Sequence, residues 1–297
     1  MLPLSPTPLI RLGNLFPHQE VYAKCEFLAP SGCFKIRGAV HLLDHLTRED
    51  GTRQLIVPSM GNTALGAAVG AAAFGFSMTG VVPTTISNDK DQKLRALGVE
   101  LIKLDGGGSE LLTLATDIAR ERGGYFVHPH LDRLWTDGYK SIAAEILQAL
   151  PGCRSIVLPV GGGGLLLGLM AHLQNNPAPV RLFGCEPYNY PKYAKFTHAR
   201  TNTIADGLKL ETPHQTVQQA IAEGGIGIGL VSEEDIRLAL RDLFEMQAIG
   251  VEPSSAITLA HIKANAEEME QRICAILTGE NIAREDHRRL ISADMNC

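Results

Sequence analysis

Residues 155–170 read SIVLPVGGGGLLLGLM. An apolar run of strand-like length ends in four glycines, Gly161, Gly162, Gly163 and Gly164, and an apolar run of helical length begins directly after them. In α/β proteins, backbone N–H groups at such a glycine-lined helix start can bind an anion such as a phosphate. The stretch therefore predicts an α/β fold with a phosphate cradle. A turn without a ligand is the alternative, although consecutive glycines cost conformational entropy.

The same alternation of short apolar runs and longer runs of helical period extends along the chain. Strands are predicted at 21–27, 54–59, 78–83, 100–104, 125–129, 155–160, 181–187 and 273–279. Helices are predicted at 62–75, 88–98, 109–122, 137–150, 164–175, 233–249 and 254–270. Continuous apolar strands that alternate with helices indicate parallel sheets covered on both faces. Ser232 is predicted to cap a helix start, and Gly98, Gly123 and Gly250 to end helices.

Composition excludes several classes of protein. The 297 residues carry a formal net charge of -5, with 45% hydrophobic and 20% charged residues, as in soluble globular proteins of one large domain or two lobes. We expect no nucleic-acid partner, because no basic stripe is present, and no membrane partner, because no apolar run reaches roughly 20 residues. No signal-peptide pattern opens the chain, and the six cysteines form no CxxC pair. A cytoplasmic protein is therefore expected.

The glycine run matches neither of two common nucleotide motifs. It is not followed by Lys-Ser or Lys-Thr, and Leu166 and Leu167 break the GxGxxG spacing. Glu186 nevertheless ends the next predicted strand, where an acid meets a ribose in dinucleotide-binding folds. An NAD-dependent oxidoreductase therefore remains an alternative, but it leaves Lys35 unexplained.

Lys35 interrupts the apolar, glycine-containing stretch PSGCFKIRGAV at 30–40. Buried lysines change their pKa readily and serve as bases or form Schiff bases. A phosphate cradle and an isolated lysine in one chain together suggest pyridoxal 5'-phosphate, whose aldehyde bonds to a lysine and whose phosphate anchors it. Phe34 is adjacent to Lys35 and is a candidate to stack on the cofactor ring.

A polar loop, PSMGNTALG at 58–66, connects a predicted strand to a predicted helix. It offers hydroxyls, an amide and backbone N–H groups that can bind the carboxylate of a substrate. The residues predicted to bind substrate are Ser59, Met60, Gly61, Asn62 and Thr63. An ordinary helix N-cap is the alternative, because Ser, Thr and Asn favour that position in all proteins.

Six motifs, taken in order, resemble the fold-type II pyridoxal-phosphate enzymes, which include threonine and serine dehydratases, serine racemase, threonine synthase and cysteine synthase. They are SGCFKIRGA (31–39), SMGNT (59–63), GGGG (161–164), IADGLK (204–209), EPSSA (252–256) and LTGEN (277–281). Together with TPLIRL at 7–12, they cover nearly the whole chain. The resemblance implies a two-lobed fold like that of the tryptophan synthase β-subunit, with parallel sheets flanked by helices.

The same resemblance implies a small mobile domain at 52–132, inserted into a large cofactor-binding domain formed by 1–51 and 133–297. A homodimer is expected. The resemblance further implies roles for individual residues: Lys35 as the catalytic Schiff-base lysine, Asn62 as partner of the phenolic oxygen, Gly161–Gly164 as the phosphate loop and Thr278 as partner of the pyridine nitrogen.

The choice of reaction depends on two residues. Thr278 is a neutral hydroxyl that cannot hold a positive charge on the pyridine nitrogen, which favours prompt loss of a β-leaving group over transamination. Ile36 follows the lysine where synthases usually carry aspartate. We therefore expect a threonine/serine dehydratase-like lyase, which acts by α,β-elimination on a hydroxy- or O-activated amino acid. The stretches at 59–64 and 137–146 look more like threonine synthases, so a β- or γ-replacement synthase is the alternative.

Two departures from serine racemase give further expectations. Met60 stands where the racemase has a proton-shuttling serine, and a thioether carries no proton at neutral pH, so we expect action on one enantiomer. Racemase-like enzymes bind a divalent cation through a glutamate and an aspartate six residues later. Glu186 matches the glutamate, but Lys192 replaces the aspartate and supplies no oxygen ligand, so no metal site is expected. Lys192 then either places its charge beside Glu186 or points to solvent.

Overall fold

The computed structural model describes residues 4–49, 51–59, 61–128, 130–174, 179–195, 198–270 and 272–292. By contacts between residues, the chain divides into two compact units. The first unit consists of the described parts of Met1–Ser5 and Ala29–Ser141, and the second of those of Pro6–Leu28 and Ile142–Cys297. The first unit thus includes the stretch 29–51, which was expected in the large domain. The predicted mobile domain at 52–132 stays a prediction.

Strands and helices alternate along both units. The strands are β1 (Leu9–Arg11), β2 (Val21–Cys25), β3 (Gln54–Pro58), β4 (Ser77–Pro83), β5 (Glu100–Leu104), β6 (Tyr125–Phe126), β7 (Ser155–Pro159), β8 (Arg181–Pro187), β9 (Gly227–Val231) and β10 (Ile273–Leu277). The helices are α1 (Lys35–Thr47), α2 (Asn62–Phe74), α3 (Asn88–Ala96), α4 (Gly108–Arg122), α5 (Arg133–Asp137), α6 (Lys140–Ala149), α7 (Gly164–Leu173), α8 (Gln215–Glu223), α9 (Glu233–Gln247), α10 (Pro253–Asn265) and α11 (Arg284–Ser292).

The first unit is built on a four-stranded sheet of order β5-β4-β3-β6, in which all neighbours are parallel. Both α2 and α4 pack against β3 and β4. The apolar core on the α4 side contains Ile56, Val81, Leu111, Ala115, Ile118 and Ala119. Helix α1 packs against α2 and not directly against the core cluster of the sheet. Lys35 lies at the contact between these two helices.

The second unit is built on a six-stranded sheet of order β1-β2-β10-β7-β8-β9. Its strands are parallel except β1, which pairs antiparallel with β2. Helix α10 is buried from Pro253 to Ile262 and contacts β7, β8, β9 and β10. This all-round burial explains why its apolar residues show no amphipathic period. The carboxyl ends of β7 and β10 are neighbours, which places the residues after both strands at one edge of the sheet.

The predicted pattern of elements is confirmed, since every predicted strand and helix overlaps an observed one. The pattern did not predict β1, β9, α1, α5, α8 or α11. Short strands, an alternation of glycine with apolar residues in β9, and a mostly charged α11 give weak periodic signals. Within the described ranges, no helix has the length and apolar character needed to span a bilayer.

Three of the four predicted helix ends are confirmed. The Ser232 hydroxyl accepts a hydrogen bond from the Asp235 N–H at 3.1 Å. Gly98 and Gly123 adopt positive φ values of 79° and 64° after their helices. The prediction for Gly250 is wrong: Ala248 takes the left-handed conformation at the end of α9, with φ of 54°. An alanine there carries the steric cost that glycine avoids.

Candidate active site

Lys35 is the first residue of α1 and follows Phe34, whose side chain does not cap the helix. The side chain of Lys35 is partly accessible to solvent. Its amine, however, is surrounded by protein atoms. Burial lowers the Lys35 pKa from 10.5 to about 8, while the nearby Cys33 acts in the opposite direction. At neutral pH about a tenth of such amines are unprotonated, compared with fewer than one in a thousand for an ordinary lysine. The amine is therefore available as a nucleophile or base.

The backbone of the polar loop between β3 and α2 lies close to residues 33–35, where α1 begins. The N-cap of α2 is Gly61, which has no side chain, so the capping interpretation of Asn62 and Thr63 is wrong. The Ser59 hydroxyl accepts a hydrogen bond from the Gly61 N–H at 3.3 Å. The Cys33 thiol donates to the Asn62 carbonyl oxygen at 3.6 Å, which joins the loop to the Lys35 turn. Met60 lies outside the described residues.

Two glycines of α2 allow it to approach α1 closely. A Cβ atom on Gly66 would lie 2.8 Å from the carbonyl carbon and the Cβ of Lys35. A Cβ atom on Gly70 would lie 2.9 Å from the Cβ of Ala39, one turn further along α1. Both distances are shorter than real carbon contacts, so only glycine fits. The starts of the two helices, and with them Lys35 and Asn62, therefore lie in a fixed relation.

The glycine loop connects β7 to α7 in the second unit. Gly163 is the N-cap of α7 with φ of 85°, a conformation that side chains disfavour. A Cβ atom there would lie 2.5 Å from the side chain of Val217, and one on Gly161 would lie 3.1 Å from the Gly207 carbonyl oxygen. The loop is thus closed in by neighbours on one side. The N–H groups at the start of α7 have no partner within the first turn of the helix, and such groups commonly bind anions. This cradle fits a phosphate group.

Thr278 follows β10 and is buried with Ser255 of α10. The two hydroxyl oxygens lie 3.1 Å apart. The Ser255 hydroxyl also accepts from the Gly279 N–H and lies within hydrogen-bonding distance of the Gly279 carbonyl oxygen, both at 2.8 Å. These partners are all uncharged. The pair therefore presents a neutral hydroxyl at the edge of the sheet that also carries the glycine loop.

Two residues that the sequence analysis left without a role lie beside this cradle. The Ser254 hydroxyl is buried and makes no hydrogen bond within the described part of the chain. A Cβ atom on Gly207 would lie 2.8 Å from it, so the glycine leaves space in front of the hydroxyl. A buried hydroxyl without a partner is costly, and a bound polar ligand would supply one. The motifs IADGLK and EPSSA contained both residues but gave no sign that they meet.

Glu186 is engaged entirely by its own loop. Its Oε2 atom accepts from the backbone N–H groups of Lys192, Tyr193 and Ala194 at 3.0–3.1 Å, and Lys192 Nζ lies 3.1 Å from Oε1. Both side chains are fully buried. Burial lowers the pKa of Lys192, and the Glu186 charge opposes that shift. Lys192 thus places its charge beside Glu186 and does not point to solvent, and Glu186 has no accessible oxygen for a ribose.

The predicted site residues fall in both units. Phe34, Lys35 and the described residues of 59–63 belong to the first unit, and Gly161–Gly164 and Thr278 belong to the second. Within each unit the structure brings the predicted residues close together. Their individual roles stay predictions. Among the residues that the structure describes, no group of three or more His, Cys, Asp or Glu side chains has the arrangement of a metal site.

Comparisons with known proteins identify the family. The profile described as pyridoxal-phosphate dependent enzyme matches residues 1–279. The catabolic L-threonine dehydratase of Staphylococcus aureus is 30% identical over 290 residues, which cover 93% of this chain and 84% of that protein. The L-threonine ammonia-lyase of Geobacter sulfurreducens is 32% identical over 270 residues, or 88% of this chain and 67% of that protein.

Solved structures agree with the sequence comparison. The processed form of threonine deaminase isoform 2 from Solanum lycopersicum superposes with a TM-score of 0.88 at 25% identity, covering 98% of this chain and 84% of that one. The predicted fold class and cofactor are confirmed, and the oxidoreductase alternative is wrong. The chain is a lyase with dehydratase-like chemistry. It belongs to the family of pyridoxal-phosphate dependent enzymes.

Proposed function

We propose that this enzyme converts a β-hydroxy amino acid, L-threonine or L-serine, into a 2-oxo acid and ammonium by α,β-elimination. The observation that carries the proposal is the neutral hydroxyl pair formed by Thr278 and Ser255 at the end of β10. The names of the relatives that match most of the chain, L-threonine dehydratase and L-threonine ammonia-lyase, support the same substrate class.

The residues of each unit fit pyridoxal phosphate. In this proposal Gly161–Gly164 and the start of α7 hold the phosphate, and Thr278 faces the ring nitrogen. Lys35 forms the covalent link, Phe34 packs on the ring, and Asn62 contacts the phenolic oxygen. When bound, pyridoxal phosphate withdraws electrons from the substrate's α-carbon and makes its hydrogen acidic. The cradle at Gly163 and the unpaired Ser254 hydroxyl support binding of an anionic, polar group.

The neutral pair at Thr278 favours elimination for an electrostatic reason. A carboxylate at that place would hold a proton on the ring nitrogen, because opposite charges attract strongly in a buried setting. A threonine hydroxyl can instead donate to an unprotonated nitrogen, which leaves the ring a weaker acceptor of electrons. Negative charge at the α-carbon would then be poorly stabilised. A substrate with a leaving group on the β-carbon would relieve that charge at once, whereas transamination would require it to persist.

Lys35 is the proposed base in the same reaction. Its lowered pKa, about 8, leaves an appreciable unprotonated fraction at neutral pH, as a general base requires. In this proposal its amine accepts the α-hydrogen of the substrate. Ser59, Gly61, Asn62 and Thr63 bind the substrate carboxylate through hydroxyls, an amide and backbone N–H groups. The N-cap of α2, Gly61, has no side chain, so no side-chain cap competes with a ligand at the start of this helix.

The test is a substrate panel with the purified holoenzyme. L-Threonine, L-serine, O-acetylserine and O-phosphohomoserine are supplied separately, and the release of 2-oxo acid and ammonium is measured. We expect release from L-threonine or L-serine, and no exchange of the α-hydrogen of D-serine in deuterated water. Lys35→Ala should release no oxo acid and should retain no cofactor after borohydride treatment.

A replacement synthase would behave differently. With a thiol as added nucleophile, it would consume O-acetylserine to form a new amino acid and release little oxo acid. That result, combined with no oxo acid from L-threonine or L-serine, would overturn the elimination proposal. Borohydride labelling at a lysine other than Lys35 would overturn the assignment of the covalent link, whatever the substrate.

The proposal also includes a homodimer that works in the cytoplasm. Five cysteines of the described chain are buried, and none of them is in a disulfide bond: Cys25, Cys33, Cys153, Cys185 and Cys274. Buried thiols of this kind support a reducing compartment. Sedimentation of the purified protein should give about twice the mass of one chain, and a monomer at micromolar concentration would contradict the dimer.

A further inference from the structure

An aromatic wall lies beside the amine of Lys35. The Nζ atom is 4.9 Å from the centre of the Phe34 ring and 5.8 Å from the centre of the Tyr139 ring. The two ring centres are 4.8 Å apart, and their planes are inclined by 50°. An ammonium within about 6 Å of a ring centre is attracted by the negative face of the ring. The rings therefore favour the protonated amine, whereas burial disfavours it.

Tyr139 cannot easily move away from this position. It is fully buried, and its hydroxyl accepts a hydrogen bond from Trp135 Nε1 at 2.5 Å. Trp135 is itself fully buried and packs against Gly38 of α1, where a Cβ atom would lie 2.7 Å from Nε1. The residue before Tyr139, Gly138, contacts the Arg37 carbonyl oxygen so closely that a Cβ atom would lie 2.3 Å from it. The ring is thus fixed to the helix that carries Lys35.

The hydroxyl of Tyr139 keeps its proton at ordinary pH, because burial raises the pKa of Tyr139 well above 10. Among the described residues, Cys33 and Asp132, the N-cap of α5, are titratable groups that act on this cluster, and Arg37 of α1 lies beside it and donates to the Ser141 hydroxyl. Helix α2, which packs on α1, contains no titratable residue. The contact of Tyr139 with the amine that carries the argument is therefore the one made by its ring.

We propose that Tyr139 is a positioning residue for Lys35, whose ring, together with that of Phe34, holds the amine against one wall and sets how readily it loses its proton. This inference rests on the proposed role of Lys35 as the covalent link to the cofactor. Attachment would use the lone pair of the unprotonated amine: a carbon–nitrogen double bond would replace the carbon–oxygen double bond of the aldehyde, and the oxygen would leave as water with the two hydrogens of the amine. The rate of attachment therefore reports the protonation of Lys35 directly.

The test measures the rate at which the full chain, stripped of cofactor, takes up pyridoxal phosphate between pH 6 and pH 10. Uptake is followed by absorbance, and borohydride fixation with peptide mapping identifies the labelled lysine. For the unaltered protein, the rate should rise with pH with a midpoint near about 8. Tyr139→Phe keeps the ring and should keep this midpoint, although it leaves the Trp135 N–H without its partner.

Tyr139→Leu removes the ring while keeping an apolar environment, so the ammonium loses one attraction. The midpoint should fall by a few tenths to one pH unit, or about twofold to tenfold in the ionisation constant. Tyr139→Met is the second ring-free variant, and its flexible side chain adapts to irregular spaces if leucine fails to fold. Ile118→Ala is the matched control, because it truncates the core of the same unit without touching Lys35. Its midpoint should equal that of the unaltered protein.

Two results would overturn the inference. The first is an unchanged midpoint in both ring-free variants. The second is a shift in Tyr139→Phe as large as in Tyr139→Leu, which would assign the effect to the hydroxyl. If borohydride fixes no label on Lys35 in the unaltered protein, the proposed covalent role fails instead, so the two failures are distinguishable.

Discussion

Replacing Gly66 by alanine should displace Lys35 without removing any functional group. The added Cβ would lie 2.8 Å from the carbonyl carbon and the Cβ of Lys35 and 2.9 Å from the Ile36 nitrogen. None of these atoms is the tip of a flexible side chain, so the helices themselves must separate. Moving the closest contact out to an ordinary 3.4 Å requires a displacement of about 0.6 Å.

The expected losses follow from that displacement. Overpacking of a tight contact costs about 1–3 kcal/mol of unfolding free energy. A misplacement of about 1 Å at a reacting group costs on the order of a hundredfold in rate, so about 0.6 Å should lower kcat roughly tenfold. The assays are denaturant unfolding, kcat with the substrate found active, and visible circular dichroism of the bound cofactor, which is sensitive to the orientation of its ring.

Gly70→Ala is the matched control, one turn further along the same helix. Its Cβ would lie 2.9 Å from Ala39 Cβ and from Leu43 Cδ1, and neither atom belongs to Lys35. The leucine tip can rotate away, so a similar loss of stability should accompany a kcat within about twofold of the unaltered protein. Equal kcat values in the two variants, at equal losses of stability, would refute the idea that Gly66 sets the position of Lys35.

Three further substitutions test the second unit. Gly163→Ala places a side chain at φ of 85° and 2.5 Å from Val217, so the cofactor dissociation constant should rise at least tenfold. Adding Val217→Ala should restore only part of the lost affinity. Both affinities are measured by fluorescence titration. Ser255→Ala removes the buried partner of Thr278 and Gly279 and should cost about 1–3 kcal/mol in urea unfolding, with a change in the cofactor spectrum; an unaltered spectrum counts against a role for Thr278 at the ring. Lys192→Met leaves the Glu186 charge buried without its cation and should cost about 3–5 kcal/mol in the same assay, while Glu186→Gln in that variant recovers part of the loss. Activity of the unaltered enzyme should not change with EDTA, and a several-fold loss restored by magnesium would contradict this.

Local sequence was enough to predict the order of the elements and the two most informative site features. The glycine run between β7 and α7 and the lysine at the start of α1 are each visible in a window of about ten residues. Such windows contain the periodicity of strands and helices and the glycines that a close approach needs. They give no signal for the start of α1 itself, because Phe34 provides no capping side chain and the first turn contains no acidic residue.

Contacts between residues distant in sequence could not be predicted in this way. Gly66 is needed because Lys35 lies against it, and Gly38 is needed because Trp135 lies against it. A sequence pattern shows only that each position is a glycine. The same holds for the aromatic wall. Phe34 and Tyr139 pack against each other, although all four strands of the first unit's sheet lie between them in the sequence. These residues are determined by contacts between segments distant in sequence, and such contacts leave no periodic pattern in the sequence.

In the loop after β8, the chain departs from serine racemase at Lys192, which replaces an aspartate, and the structure determines where the lysine side chain lies. From sequence, Lys192 had two possible positions; in the fold, its ammonium lies 3.1 Å from Glu186. The other carboxylate oxygen accepts three consecutive backbone N–H groups, so one side chain organises the loop as far as Ala194. A divalent cation at this place would have to share the carboxylate with an ammonium that repels it.

The consequence extends to the phosphate cradle. Tyr193, whose N–H bonds to Glu186, accepts at its hydroxyl the His214 N–H at 3.0 Å, and His214 is the N-cap of α8. Val217 of that helix closes one side of the cradle at Gly163. A continuous series of contacts therefore joins the buried ion pair to the loop that is proposed to hold the cofactor phosphate. Because each contact in the series positions the next, loss of the Lys192 charge should weaken cofactor binding as well as folding. A Lys192→Met variant that unfolds more readily yet binds cofactor with unchanged affinity would show that the series ends before Gly163.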